Sequence, residues 1–226
     1  MVTLHIANKN YSSWSLRPWV LMKTLGIAFM EEVHPFDGAD NAERFRSFSP
    51  SGRVPCLVDG DIAVWDSLAI AEYLAESLTN VWPADKAARA WARCVAAEMH
   101  SSFFALRNAC GMSCGVRVAL KEHSAALAAD IGRITELWNE GLLRFGGPFL
   151  AGDRFTAVDA FFAPVTFRAL TYGLDFGDAG NAYAAMIRDL PAMREWYDAA
   201  LAETWRDAAH EDEIAGYGTV TEDLRA

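Results

Sequence analysis

Two places in the chain set hydroxyl groups at the start of a helix, where they can hold an anion. The first is NYSSWSLRPW, residues 10 to 19, in which Ser12, Ser13 and Ser15 crowd ahead of Arg17. A serine at such a position is most often a cap that accepts a hydrogen bond from a backbone N–H. The same hydroxyl, placed beside the free N–H groups and partial positive charge of a helix end, donates to an anion and lowers the pKa of an acid bound there. The second place is Asp66-Ser67 in WDSLAIAEYLAE. Either residue can act as a cap; alternatively the Ser67 hydroxyl and the helix N–H groups suit a carboxylate, and Asp66 attracts an ammonium group. Thr156 and Asp159 in TAVDAFFAPV have the spacing of a capping box and are read as structural.

The elements that must position these groups fall into two halves. TLHIA, residues 3 to 7, reads as a strand, and WSLRPWVLMKTLGI as a helix closed by Gly26. Pro18 suits the first turn of that helix, which puts Ser12 and Ser13 in the loop before it. FMEEVHPF reads as a second strand, followed by a loop. VPCLVDGDIAVW is a hairpin about Asp59-Gly60, and DSLAIAEYLAESL a helix. After residue 80 the pattern is helical throughout, including VALKEHSAALAADIGRITELWNEGLL, and the acidic tail EDEIAGYGTVTEDLRA is expected to fray. Asn80 and Pro83 interrupt the pattern within residues 78–87, dividing the chain into units 1–79 and 86–226.

A net charge of -10 argues against a sequence-independent grip on nucleic acid, which needs clustered Lys and Arg. No run is long enough to span a membrane and no signal peptide is recognisable, so the expected compartment is the cytoplasm. Cys56, Cys94, Cys110 and Cys114 have no metal-site spacing and are read as reduced, mostly buried thiols, with a thiol function for Cys110 and Cys114 as the minority reading. His100 is read as a core or interface histidine.

Four motifs, SPSGRVPCLVDG, WDSLAIAEYLAE, FLAGDRFTAVDAFFAPV and NYSSWSLRPW, together resemble the cytosolic glutathione S-transferases, and among them serine-type bacterial members similar to the zeta class. The resemblance implies an α/β thioredoxin-like N-terminal domain that binds glutathione, followed by an all-α helical-bundle domain that receives the second substrate. It implies a cis Val54-Pro55 bond facing the cysteinyl part of glutathione, Arg53 near the glycyl carboxylate, and Asp66 and Ser67 at the γ-glutamyl end. In serine-type relatives the catalytic hydroxyl stands five residues before the helix arginine, which is Ser12 here. Ser13 ranks second, Ser15 third as a helix cap, and Tyr11 is a rival because other classes use tyrosine. Trp14 occupies the place of the zeta cysteine, which weakens the case for isomerase activity.

A free thiol has a pKa of roughly 8.5 and is mostly neutral at pH 7. Serine is too weak a base to deprotonate it, but a hydroxyl that donates to the sulfur anion favours the thiolate. The implied reaction is attack of that thiolate on a small hydrophobic electrophile, with Phe103, Arg107 and Met112 lining the second pocket. Glutathione is a co-substrate, no metal is expected, and the relatives are homodimeric detoxification enzymes. A non-catalytic glutathione-binding or scaffold protein with the same fold is the alternative.

Overall fold

The computed structural model describes residues 1–226, the side chain of Ala39 excepted. The first unit has a four-stranded sheet of β1 (Val2–Ile6), β2 (Phe29–Val33), β3 (Cys56–Asp59) and β4 (Ile62–Trp65), in the order β2-β1-β3-β4. β1 and β2 are parallel, while β3 is antiparallel to both β1 and β4. The parallel pair needs a crossover, which α1 (Ser13–Thr24) supplies, and Gly60 at a φ of 57° closes the β3–β4 hairpin. α3 (Ser67–Ser77) ends the unit. This is the thioredoxin-like arrangement expected. The loop after β2 differs, folding into a 3-10 turn (Gly38–Asp40) and α2 (Asn41–Phe45).

The second unit is helical: α4 (Lys86–Ser101), α5 (Phe104–Ala109), α6 (Ala125–Phe145), α7 (Ala157–Tyr172), α8 (Gly177–Arg188), α9 (Pro191–Ala202) and α10 (Ala208–Tyr217). One feature departs from an all-α bundle. β5 (Val116–Leu120) pairs antiparallel with β6 (Gly218–Asp223). The start of VALKEHSAALAADIG is therefore strand, and the helix begins at Ala125 behind the Ser124 cap. The tail does not fray, because its backbone groups find partners in β5, which sequence adjacency cannot reveal.

α7 sits at the centre, with nearly every residue buried, and packs on α1, α4 and α8. Its start is fixed by the expected capping box. The Asp159 carboxylate accepts from the backbone N–H groups of Thr156 and Leu150, each at 2.9 Å, and from the Tyr183 hydroxyl at 3.0 Å. Burial nevertheless raises its pKa from 3.8 to about 6, against the opposing pull of those bonds.

Asp159→Ala orphans three donors and is expected to cost about 2–4 kcal/mol, read as a lowered urea midpoint. Because the folded pKa lies above the unfolded one, the stability due to titration of this group is fully present below about pH 3.8 and is lost as pH rises through about 6. The gap between wild type and variant should therefore be wider at pH 4.5 than at pH 7; an unchanged gap would contradict the assignment.

Candidate functional site

A cavity of about 410 Å³ opens between the two units. Ser12, Ser13, Arg53 and Val54 line it from the first unit, and Arg107 and Met112 from the second. Six of the residues singled out in the sequence thus meet in one place, although Ser12 and Arg107 lie far apart in the chain.

Ser12 is the residue before α1, and Ser13 is its first residue. Both are nearly buried and both line the cavity, so the N-terminal end of the helix, with its free N–H groups, borders it. Ser12 donates to Ser15 Oγ at 2.7 Å, and Ser15 Oγ accepts from Ala7 N–H at 3.2 Å. Ser15 is therefore not the helix cap expected; it sits in the first turn and ties it back to β1. Pro18 lies inside α1 rather than in its first turn. Its ring removes a single helical N–H, while the buried faces of Leu16, Trp19 and Val20 hold the helix together.

The loop that presents the serines has no ladder of its own and is held by side chains. The buried Glu203 carboxylate accepts from Lys9 N–H at 2.6 Å and Asn10 N–H at 3.1 Å. Trp196 Nε1 donates to Lys9 O at 2.9 Å, Gly115 N–H donates to Asn10 Oδ1 at 3.0 Å, and Phe36 N–H donates to Asn8 Oδ1 at 2.7 Å. Lys9 and Asn10 thus staple the two units together, and Asn8 ties the loop to the segment after β2, roles that the sequence reading missed.

On the opposite wall the Val54-Pro55 bond is cis, as the resemblance implies. Gly52, at a φ of 66°, lets this wall approach α2, since a Cβ there would meet Ala42 O at 2.7 Å. Asp66 and Ser67 stand at the start of α3, outside the cavity lining. Asp66 takes a left-handed φ of 78° and caps α3 by accepting from Leu68 N–H at 2.8 Å. Its other oxygen lies 3.3 Å from His100 Nε2, so His100 is an interface histidine. The Ser67 hydroxyl is buried without a partner among the described residues. Phe103 does not line the cavity: its ring is packed in the core, and its own backbone, at a φ of 61°, begins α5.

The second unit contributes charge that the sequence reading did not foresee. Arg168, on buried α7, lines the cavity, donates through Nε to Cys110 O at 2.8 Å, and leaves Nη1 without a partner among the described residues. Arg107 lies 4.7 Å from the Trp14 ring and donates to Ser102 O at 3.1 Å; burial, then Arg168, lowers its pKa to about 10. Behind them Arg17 is fully buried between Trp14 at 4.2 Å and Phe161 at 4.9 Å, all three nitrogens unpartnered among the described residues. An arginine inside an otherwise apolar helix was the available signal for Arg168; nothing comparable marks His210 and Glu213, which reach the cavity from α10.

Tyr11 also lines the cavity, but its hydroxyl donates to Glu211, which Arg225 grips from the C-terminal end. Burial first, then Glu211, pushes the phenol up to about 12. Cys110 and Cys114 are buried, and desolvation pushes the Cys110 thiol up to about 12 and Cys114 higher, which argues against a thiol function at neutral pH.

Three comparisons bear on this arrangement. Residues 11–77 match the glutathione S-transferase N-terminal domain and residues 116–199 its C-terminal domain. A stringent starvation protein A homolog of Pasteurella multocida is 26% identical over 176 residues, 74% of this chain and 77% of its own. Glutathione S-transferase F13 of Arabidopsis thaliana is 26% identical over 167 residues, 68% of this chain and 70% of its own. The crystal structure of a glutathione transferase homolog from Burkholderia, solved with bound glutathione, has the same fold at a TM-score of 0.65 and 22% identity, covering 88% of this chain and 97% of that one.

Glu203→Ala is expected to cost about 2–4 kcal/mol by stranding two buried N–H groups. Amide exchange at Lys9 and Asn10 should accelerate by at least about tenfold, since 1.4 kcal/mol is a factor of ten. Protection equal to wild type would show that the carboxylate does not hold the loop.

Proposed function

Since the chain belongs to the glutathione S-transferase family, matched by both of its domain models in order over about two thirds of its length, we propose that it activates the glutathione thiol with the serines of its opening loop and transfers the thiolate to a small electrophile. The observation that carries this reading is the placing of Ser12 and Ser13 at the N-terminus of α1, facing a cavity bounded opposite by Arg53 and Val54.

In this reading glutathione lies along the first unit. Its γ-glutamyl end approaches the α3 N-terminus, where Ser67 has a hydroxyl to offer and Asp66 a carboxylate for the ammonium group. Its sulfur lies against the α1 N-terminus, and Arg53 takes the glycyl carboxylate. Hydroxyl hydrogens rotate to suit their acceptor. As the bound thiol loses its proton to solvent, Ser12 turns its own proton from Ser15 to the sulfur, and Ser15 donates to Ser12 while still accepting from Ala7 N–H. Each bond in such a chain polarises the next, strengthening the donor at the sulfur. Tyr11 is a poor rival, because its proton is already committed to Glu211.

The electrophile enters from the side of Met112, Arg107 and Arg168. Conjugation is favoured over isomerisation because Trp14 replaces the zeta cysteine. A homodimer belongs to the same reading; edge strand β4 leaves Ile62 and Trp65 about half exposed, as a surface awaiting a partner would.

The test is an ultraviolet titration of glutathione bound to the full chain. The thiol pKa should fall by about one to two units in the native protein and return in Ser12→Ala. Return in Ser13→Ala alone would transfer the role to Ser13. No depression in the native protein would defeat the activation mechanism, and a depressed pKa with no turnover over an electrophile panel would support the binding-protein alternative.

A further inference from the structure

The far side of the sheet from α1 carries a second cluster that the proposed reaction does not use. β1 and β2 run in parallel register with His5 beside Glu32, and His34 follows β2 by one residue. His5 Nδ1 lies 2.9 Å from His34 Nε2 and 3.4 Å from Glu32 Oε2, and His34 Nε2 lies 3.8 Å from that same oxygen. Phe48 clamps both imidazoles, stacking on His5 at 4.3 Å and on His34 at 4.2 Å between ring centres.

We propose that His5, Glu32 and His34 form a site for a divalent transition metal, zinc above all, with solvent as its fourth ligand. Three arguments converge. A tetrahedral zinc with ligands at roughly 2.0–2.2 Å separates those ligands by about 3.3–3.5 Å, which the three observed distances bracket. A hydrogen bond between the rings accounts for one contact only. Its single proton lies between the two nitrogens, so the carboxylate oxygen faces one N–H already committed to the other ring and one nitrogen lone pair; a cation satisfies all three atoms at once.

The donor set also suits the metal: two imidazoles and one carboxylate are ligands of zinc sites that keep an open position. His5 is buried while the Glu32 side chain is half exposed, so the triangle opens to solvent on one side.

The neighbouring groups do not compete. Arg44, whose charge is felt at His34, is engaged by Asp37 at 2.8 Å. Cys56, in register with His5 on β3, directs its sulfur to Phe48 O at 3.4 Å. Binding needs only a tautomer in which His5 carries its proton on Nε2 and His34 on Nδ1. The metal would cross-link β1 to edge strand β2 beneath Phe48, and Phe45, beside that ring, forms part of the cavity wall.

The experiment titrates the full chain, freed of metal by a chelator and without glutathione, with cobalt(II) and then zinc. Expected are one equivalent of cobalt with visible ligand-field bands and no thiolate charge-transfer band, displacement by zinc, and a thermal midpoint that rises with zinc. Glu32→Gln, a change at a half-exposed position, and His34→Gln should each weaken binding by at least about tenfold. Absence of saturable one-to-one binding, a thiolate band, or wild-type affinity in both variants would overturn the proposal. Far-ultraviolet circular dichroism of Glu32→Gln separates a lost ligand from a lost fold.

Discussion

The carboxylate of Glu203, buried at the end of α9 and accepting two backbone N–H groups from the loop after β1, is the contact on which the site's geometry depends. Residues 8 to 12 run irregularly through the interior, where unpaired backbone groups each cost on the order of 1–3 kcal/mol. A charged acceptor supplies the stronger kind of hydrogen bond and supplies two at once. Burial raises the Glu203 pKa while the two N–H groups and Lys9 oppose the shift, so the loop donors and the carboxylate stabilise one another. Because the acceptor belongs to the helical unit and the donors to the sheet unit, the same pair that orders the serine loop also fixes the distance across the cavity.

With the loop in place, the charge of the site follows from what lies behind it. The chain as a whole carries -10, yet the cavity is faced by Arg53, Arg107 and Arg168, with Arg17 beneath and Glu213 the carboxylate in the lining. Such a local reversal in a low-dielectric cleft focuses positive potential where a small anion would enter. Buried guanidinium groups without a matching carboxylate are costly, and Arg17 offsets part of that cost through the faces of Trp14 and Phe161. The second unit's side of the cavity is therefore mixed, with Met112 beside two arginines.

How much of this was legible follows the range of the interactions involved. Alternation in TLHIA, the Asp59-Gly60 turn and the helical period of α4, α6 and α7 are local signals, and each produced its element, although the pattern read as helix from Val118 becomes helix only at Ala125. The capping box at Thr156 and Asp159 was readable because its two partners are three residues apart. Ser12, Ser13, Arg53 and Val54 were readable because they sit inside short motifs. The β5–β6 pair was not, since its strands are about 100 residues apart and neither has enough alternation to suggest a partner. Arg168, His210 and Glu213 were missed for the same reason, as helix rotation and tail docking decide which side chains meet the cavity. Phe103 was misplaced because an aromatic residue in a helix-rich segment carries no mark distinguishing a wall from a core.

Trp14 brings these constraints together at a single position. Its ring is 4.2 Å from the Arg17 guanidinium, 4.7 Å from that of Arg107 and edge-on to His100, which in turn meets Asp66. A cysteine there would leave Arg107 without its aromatic face and Arg17 with that of Phe161 alone, so the tryptophan is a brick shared by α1, α4 and α5 and not a spare surface residue. Its indole carries no group able to attack carbon, and its Nε1–H can only donate a hydrogen bond. At the α1 end of the cavity the groups left to meet a bound thiol are then the hydroxyls of Ser12 and Ser13, the Trp14 Nε1–H and the helix N–H groups, because the Tyr11 proton is drawn toward Glu211. That restriction favours stabilising a thiolate over covalent chemistry by the protein itself.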